Sequence, residues 1–309
     1  MFDLTWLNPI IAFVVGIILA FNLRKIFARV QSRRGPLLWM PGGWRDINHS
    51  KLLQPLYDIL KLFSKQTIIP HTSTVLFILG PIFALICALT VTLFVPVAGN
   101  AFDYSFSIVV IFYLLIFVTL FIIMGGISSA SLFSAIGSVR EVELMLANEI
   151  PFILGIFALV IAHGTLSVQG IMGPNILTNP LAAIAVFIAI LVKLHIKPFD
   201  IPEAESEIIG GMTTEYSGKL LGVLEIVKLI MLFSLSALYV DMFLWIPFTG
   251  LMAWVVFIIG ILLVGGAIGM VNALFARFRI DQATRWLFRV SMLISLLAVG
   301  WAFAGAYIL

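Results

Sequence analysis

Apolar runs long enough to cross a bilayer recur along this whole chain. A bilayer core of about 30 Å needs roughly 20 helical residues at about 1.5 Å rise each. About eight runs meet or approach that length: 4–23, 75–95, 105–127, 141–163, 180–194, 220–240, 244–271 and 286–306. The fifth is the shortest. With 62% hydrophobic and 11% charged residues, a soluble fold is excluded. The fold class is all-α: a polytopic membrane protein, expected to form one transmembrane domain over residues 1–309. No nucleic-acid partner is expected; the lipid bilayer is the first partner.

The few charges are unevenly placed. Of 18 basic residues, nine lie between Arg24 and Lys65. Lys193, Lys197 and Lys219 flank residues 195–219, Arg140 lies between spans three and four, and Arg277, Arg279, Arg285 and Arg289 lie between spans seven and eight. The alternate connections carry no Lys or Arg. The positive-inside rule then predicts both termini outside the plasma membrane, with loops 24–74 and 195–219 cytoplasmic. Asp3 with no basic region before the first run argues against a cleavable signal peptide.

Within the first cytoplasmic loop, KLLQPLYDILKLFSK (Lys51–Lys65) sets Leu52, Leu56, Ile59, Leu60 and Phe63 at helical spacing. It is too short and too charged to span, so an in-plane amphipathic helix is predicted. The second cytoplasmic loop, HIKPFDIPEAESEIIGGMTTEYSGK, is acidic: Asp200, Glu203, Glu205, Glu207 and Glu215 fall within sixteen residues. Asp200 followed by Glu203 has capping-box spacing, and Gly210-Gly211 is a stop. A short helix over 201–209 is predicted, with Glu203 and Glu207 on one face.

Ionisable residues also fall inside spans. Glu149 sits roughly 12 Å along span four from Glu141, with Glu143 nearer the surface. Pro151 two residues later leaves the Ala147 carbonyl free. Glu225 and Lys228 in span six are three apart and can meet. Such residues usually face a bundle interior and serve proton or ion movement; a neutralised structural pair is the alternative for Glu225 and Lys228. Carboxylates crowded in low dielectric raise one another's pKa, so some are expected to hold protons near neutral pH. One cysteine, Cys87, and four scattered histidines offer no metal cluster. No nucleotide fingerprint, nucleophile constellation or internal repeat stands out; Gly265, Gly266 and Gly269 suit close helix packing.

Three motifs in order carry a resemblance: PFDIPEAESEIIGG…TEYSG (Pro198–Gly218), ARVQSRRGP (Ala28–Pro36) with LLQPLYDILKL (Leu52–Leu62), and Arg140 followed nine residues on by Glu149. They resemble the membrane subunit at the heel of respiratory complex I, the NADH dehydrogenase subunit 1 family, and its relatives in energy-converting membrane-bound hydrogenases and sulfur-reducing complexes. SREVELMLANEIP (Ser138–Pro151) and the Glu225–Lys228 spacing look closer to the hydrogenase branch. The stretch Leu37–Lys51 is longer than the corresponding connection. The resemblance implies a subunit without a cofactor of its own, beside partners that hold iron–sulfur and nickel–iron centres, or quinone in the complex I alternative. It implies a hydrophilic hydrogenase-like large subunit, an iron–sulfur small subunit and antiporter-like membrane subunits as partners. Asp200, Glu203, Glu205, Glu207 and Glu215 would form the coupling loop. Arg29, Arg33 and Arg34 would lie at the docking surface. Glu149, Glu225, Lys228, Glu143 and Glu141 would line a proton or ion path. A stand-alone secondary transporter is the reading from another class.

Overall fold

The structure is a computed structural model that describes residues 4–33, 35–36, 52–244 and 250–308. Arg34 and the stretch Leu37–Lys51 lie outside the described residues. Among those described there is no strand; the elements are helices joined by short connections.

Among the described residues seven helices are long and apolar enough to cross a membrane. They comprise α1 (Asn8–Val30), α3 (Leu76–Phe94), α4 (Ser107–Ile127), α5 (Leu132–His163), α10 (Gly218–Phe243), α11 (Leu251–Leu274) and a last segment, Ile280–Gly305. That segment runs from α12 (Ile280–Trp286) through a π-turn at Leu287–Ser291 into α13 (Met292–Ile308). The fifth of the eight expected spans is the short α8 (Pro180–Lys193). Its 14 residues cover about 21 Å, less than a bilayer core. Asn179 caps it by accepting from the Ala182 N–H at 3.1 Å and ties it to α13 by donating to the Ala298 carbonyl at 3.0 Å. One-turn helices α6 (Val168–Ile171) and α7 (Asn175–Thr178) lead into it.

Two spans start elsewhere than their hydropathy suggests. Span four begins at Leu132, not near Glu141, so α5 is 32 residues long and Arg140 lies within it. Span seven begins at Leu251, after Gly250 takes a left-handed φ of +70°. The predicted amphipathic helix is α2 (Gln54–Ser64), whose Ile59 packs with Ile17 of α1 and Leu229 of α10.

Helix α10 is the axis of the bundle. It packs on α1, α2, α3 and α11, and 72% of its apolar window is buried, more than for any other span. From Leu229 to Phe243 every residue is buried, and the sequence there is apolar on all faces except for Ser234, Ser236 and Asp241. Around it α3 lies along α4, α5 lies between α8 and α13, and α1 lies along α11.

The acidic loop lies across one end of this bundle. Gly211 is left-handed at φ +56°, and a Cβ there would meet the Pro202 carbonyl at 1.8 Å. A Cβ on Gly137 of α5 would stand 2.7 Å from Gly211 Cα. Two glycines therefore let the loop backbone lie directly on α5. The Tyr216 ring stacks on Phe77 of α3 at 4.3 Å, and its hydroxyl donates to the Phe77 carbonyl at 3.1 Å. Gly137→Val should destabilise this contact by about 1–3 kcal/mol, the usual cost of overpacking. Limited proteolysis should then cleave within 195–219 faster than in the unaltered chain.

Candidate functional site

The chain that leaves α8 enters the bundle rather than solvent. Phe199 and Ile201 are each 2% exposed, and Phe199 packs edge-on against Phe278 at 5.9 Å. This brings a histidine and a glutamate to α5 and α10. His195 Nε2 lies 2.9 Å from Glu141 Oε2, and His195 Nδ1 lies 3.6 Å from Glu203 Oε1. Lys228 Nζ donates to Glu203 Oε2 at 2.7 Å, and Glu225 Oε1 lies 3.7 Å from the same Nζ. Acid and base thus alternate in one continuous series: Glu225, Lys228, Glu203, His195, Glu141.

The series borders a cavity of about 240 Å³ lined by Glu141, Lys193, His195, Glu203 and Lys228 among apolar residues of α1, α4 and α10. Lys193, at the end of α8, donates to Glu149 Oε1 of α5 and stands 5.0 Å from the Phe152 ring centroid. That pair is deeply buried, with side chains 5% and 13% exposed, and Glu149 Oε2 has no partner among the described residues. Glu225 borders a second cleft of about 340 Å³ with Arg24, Asp58 and Ile59, between α1, α2 and α10.

Burial alone would make the imidazolium of His195 costly. The carboxylates of Glu141, then Glu203, outweigh it and push His195 up to about 10. Burial likewise acts against the charged form of Glu203, but Lys228 and His195 hold it well below the usual carboxylate range. The expectation of crowded carboxylates sharing protons fails at Glu203, because a base stands between each carboxylate of the series and the next.

The loop carboxylates divide by partner. Asp200 is not an N-cap: its Oδ2 accepts from Arg277 at 2.7 Å. Glu203 lies outside the helix and closes no capping box. The loop helix is a single turn, α9 (Glu205–Ile208), with Ala204 as its N-cap. Local capping loses here because a buried carboxylate gains more from Lys228 and His195 than from two backbone N–H groups. Glu207 is half exposed and pairs with Arg140 at 2.7 Å. Glu205 begins α9, and Glu215 is half-buried beside Tyr216. Glu143 is exposed on α5, away from the cavity. Arg29 and Arg33 are exposed at the end of α1. Glu149 and Glu225 do not meet; each has its own basic partner, and Lys228 lies closer to Glu203 than to Glu225.

Two members went unassigned from the sequence, His195 and Lys193. The signal was present: the shortest span ends in two basic side chains two residues apart. Among the described residues no group of three or more His, Cys, Asp or Glu side chains is arranged to hold a metal ion.

The model of the NADH dehydrogenase family matches residues 4–303. The chain belongs to that family. It is 31% identical over 310 residues to the H-subunit of the NADH-quinone oxidoreductase of Dehalococcoides mccartyi strain 195, covering 96% of this chain and 85% of that one. To the H-subunit of the Geobacillus sp. strain WCH70 enzyme it is 31% identical over 265 residues, covering 79% and 77%. Among solved structures, a chain of an archaeal respiratory membrane complex, the membrane-bound sulfane sulfur reductase, superposes with a TM-score of 0.86 at 28% identity. That match covers 96% of this chain and 98% of the other.

The raised His195 sets a pH dependence. The unfolded imidazole titrates near 6.5 and the folded one near 10, so the folded state holds the extra proton between those values. Its stabilisation is complete below about pH 6.5 and is lost as pH rises through about 10. The thermal midpoint of the purified protein should therefore fall between pH 6.5 and 10, and His195→Gln should remove part of that slope. Equal slopes in the two proteins would rule out the charged pairing of His195.

Proposed function

We propose that this chain is a membrane subunit of a multi-subunit respiratory complex that carries no redox centre of its own. It docks a hydrophilic electron-transfer arm and couples its redox reaction to proton or sodium translocation. The observation that carries this reading is the alternating series from Glu225 to Glu141, four of whose five members line one cavity together with Lys193, the buried partner of Glu149. Burying so many ionisable groups is costly, and membrane proteins retain them on ion or proton routes. Acids and bases in line, two of their four links hydrogen-bonded and two at 3.6–3.7 Å, can re-pair when a charge changes at one end.

The arm would sit on the loop face, where Arg140–Glu207 and Asp200–Arg277 fix the surface and Arg29 and Arg33 project from α1. By the distribution of basic residues that face is cytoplasmic, both termini lie outside, and the membrane is the plasma membrane. The partners are a hydrogenase-like large subunit, an iron–sulfur small subunit and antiporter-like membrane subunits, with iron–sulfur and nickel–iron chemistry in those partners.

A quinone-reducing complex is the second reading, favoured by the names of the curated relatives. One observation favours the hydrogenase- and sulfur-reductase-like branch: the chain covers 98% of the sulfane sulfur reductase chain but 77–85% of the two quinone-oxidoreductase relatives.

The test is to purify the chain with its partners, assay hydrogen evolution, sulfur reduction and quinone reduction, and follow ion uptake in vesicles. Glu149→Gln and Glu203→Gln should each lower ion translocation by on the order of 10²-fold, the lower range for losing a positioned proton-transfer group. Electron transfer and assembly should persist. Normal pumping in both variants would overturn the coupling role. Quinone reduction as the sole activity would move the chain to the second reading, and purification as a solitary protein would favour the transporter.

A further inference from the structure

The acidic series occupies one end of α10, and the other end holds a carboxylate that this series does not use. Asp241 lies sixteen residues beyond Glu225, about 24 Å along the helix. It is 0% exposed, and neither oxygen has a hydrogen-bond partner among the described residues. An acidic side chain fully buried in a folded interior normally has a cation or several donors; among the described residues this one has neither. Titratable side chains at this end are few. His163 contacts Asn175 Oδ1 at 2.9 Å, and Asp103 accepts from Ser107 and Ser167, so each is engaged elsewhere. The connections 95–106, 164–179 and 244–250 contain no Lys or Arg. Asp241 also stands in the last turn of α10, where the backbone carbonyls place partial negative charge.

We infer that Asp241 is a proton-binding site at the end of the bundle opposite the acidic loop, loaded and emptied during turnover. A proton is the ligand this environment selects. It adds to one carboxylate oxygen, removes the charge, and needs no cavity of its own. A larger cation would need several oxygen ligands, and none of the described groups bonds to this side chain. The surroundings are ordered for such a site. Asn175, buried at the same end of the bundle, donates to the carbonyl of Met242 at 2.7 Å. The Asn175 side-chain oxygen meets His163, which lines an open cleft of about 500 Å³ with Thr178, Asn179 and Trp301. The buried acid is thus one residue from a hydrogen-bonded link that reaches an open cleft. The turnover part of this inference rests on the coupling role proposed for the chain; the binding part does not.

Infrared difference spectroscopy of the purified complex tests the binding part. Asp241→Asn minus the unaltered protein at neutral pH should show loss of the C=O stretch of a protonated carboxylic acid. Loss of the bands of an ionised carboxylate instead would overturn the inference. Should the Asn variant not assemble, dicyclohexylcarbodiimide, which adds to protonated carboxyls, should modify the peptide containing Asp241 in the unaltered complex, less as pH rises. No adduct, or an adduct independent of pH, would count against it. In vesicles, Asp241→Asn should lower ion translocation several-fold at unchanged electron transfer, with Asp241→Glu restoring part of it. Normal pumping in Asp241→Asn, while Glu149→Gln is defective, would remove the turnover role and leave the coupling reading intact. Normal pumping in both would defeat the coupling reading, with the infrared result still deciding whether Asp241 holds a proton.

Discussion

The Glu203 carboxylate is the point on which the arrangement of this end of the molecule depends. A carboxylate taken out of water must be met by charge or by several donors. Glu203 is met from two directions, by Lys228 of α10 at 2.7 Å and by His195 at 3.6 Å. Those contacts fix the segment after α8 against the central helix. His195 in turn reaches Glu141 of α5, so one residue in a loop joins three elements that are far apart in sequence. The rest of the loop is held by Asp200 with Arg277 and by Glu207 with Arg140, the last with a half-exposed carboxylate whose pairing water and salt weaken by screening.

The shortness of α8 makes this possible. A helix of about 21 Å ends short of a bilayer core about 30 Å thick. The polypeptide that follows, His195 to Glu203, therefore packs among helices. Irregular backbone at such a place is tolerated only where protein or a cavity satisfies it. Here it is satisfied: Phe199 N–H donates to the Ile196 carbonyl at 2.8 Å, and the Pro198 carbonyl accepts from Phe278 N–H at 3.0 Å. Small residues do the complementary work. Gly137 and Gly211 allow backbone to lie on backbone, and Gly125 leaves room for the Tyr216 hydroxyl, which a Cβ would approach to 2.2 Å.

Much of this was legible in the residues. Apolar runs marked the spans because hydropathy over a bilayer length is a strong constraint, and the amphipathic helix α2 followed from periodicity. The motifs around the acidic loop led to the family. What could not be read was long-range pairing. Asp200 and Glu203 have the spacing of a local cap, but the spacing says nothing of Arg277 or Lys228, which arrive from 77 and 25 residues away. Nor does spacing along one span show that Glu149 pairs with Lys193 of another. Helix starts were misjudged where hydropathy fades inside a helix. Leu132–Glu141 carries Arg140 and two serines, yet continues α5 because its Ser134 and Ser138 hydroxyls bond backbone carbonyls and bury.

Alternation of acid and base has a consequence that a row of carboxylates would lack. In a row of like charges each proton taken up relieves its neighbours, and the sites titrate in a spread of coupled steps. In an alternating series each carboxylate faces a base, so a proton added to one carboxylate releases its base to seek another. Lys228 has two acids within reach, Glu203 at 2.7 Å and Glu225 at 3.7 Å. His195 also stands between two acids. Each base can therefore move from one partner to the other, and a change at either end can shift the pairing along the series. On the proposed reading this is what an arm with its own redox chemistry requires of a membrane component that has none. On that reading a change of charge at the loop would reach Glu225 by re-pairing at His195 and Lys228.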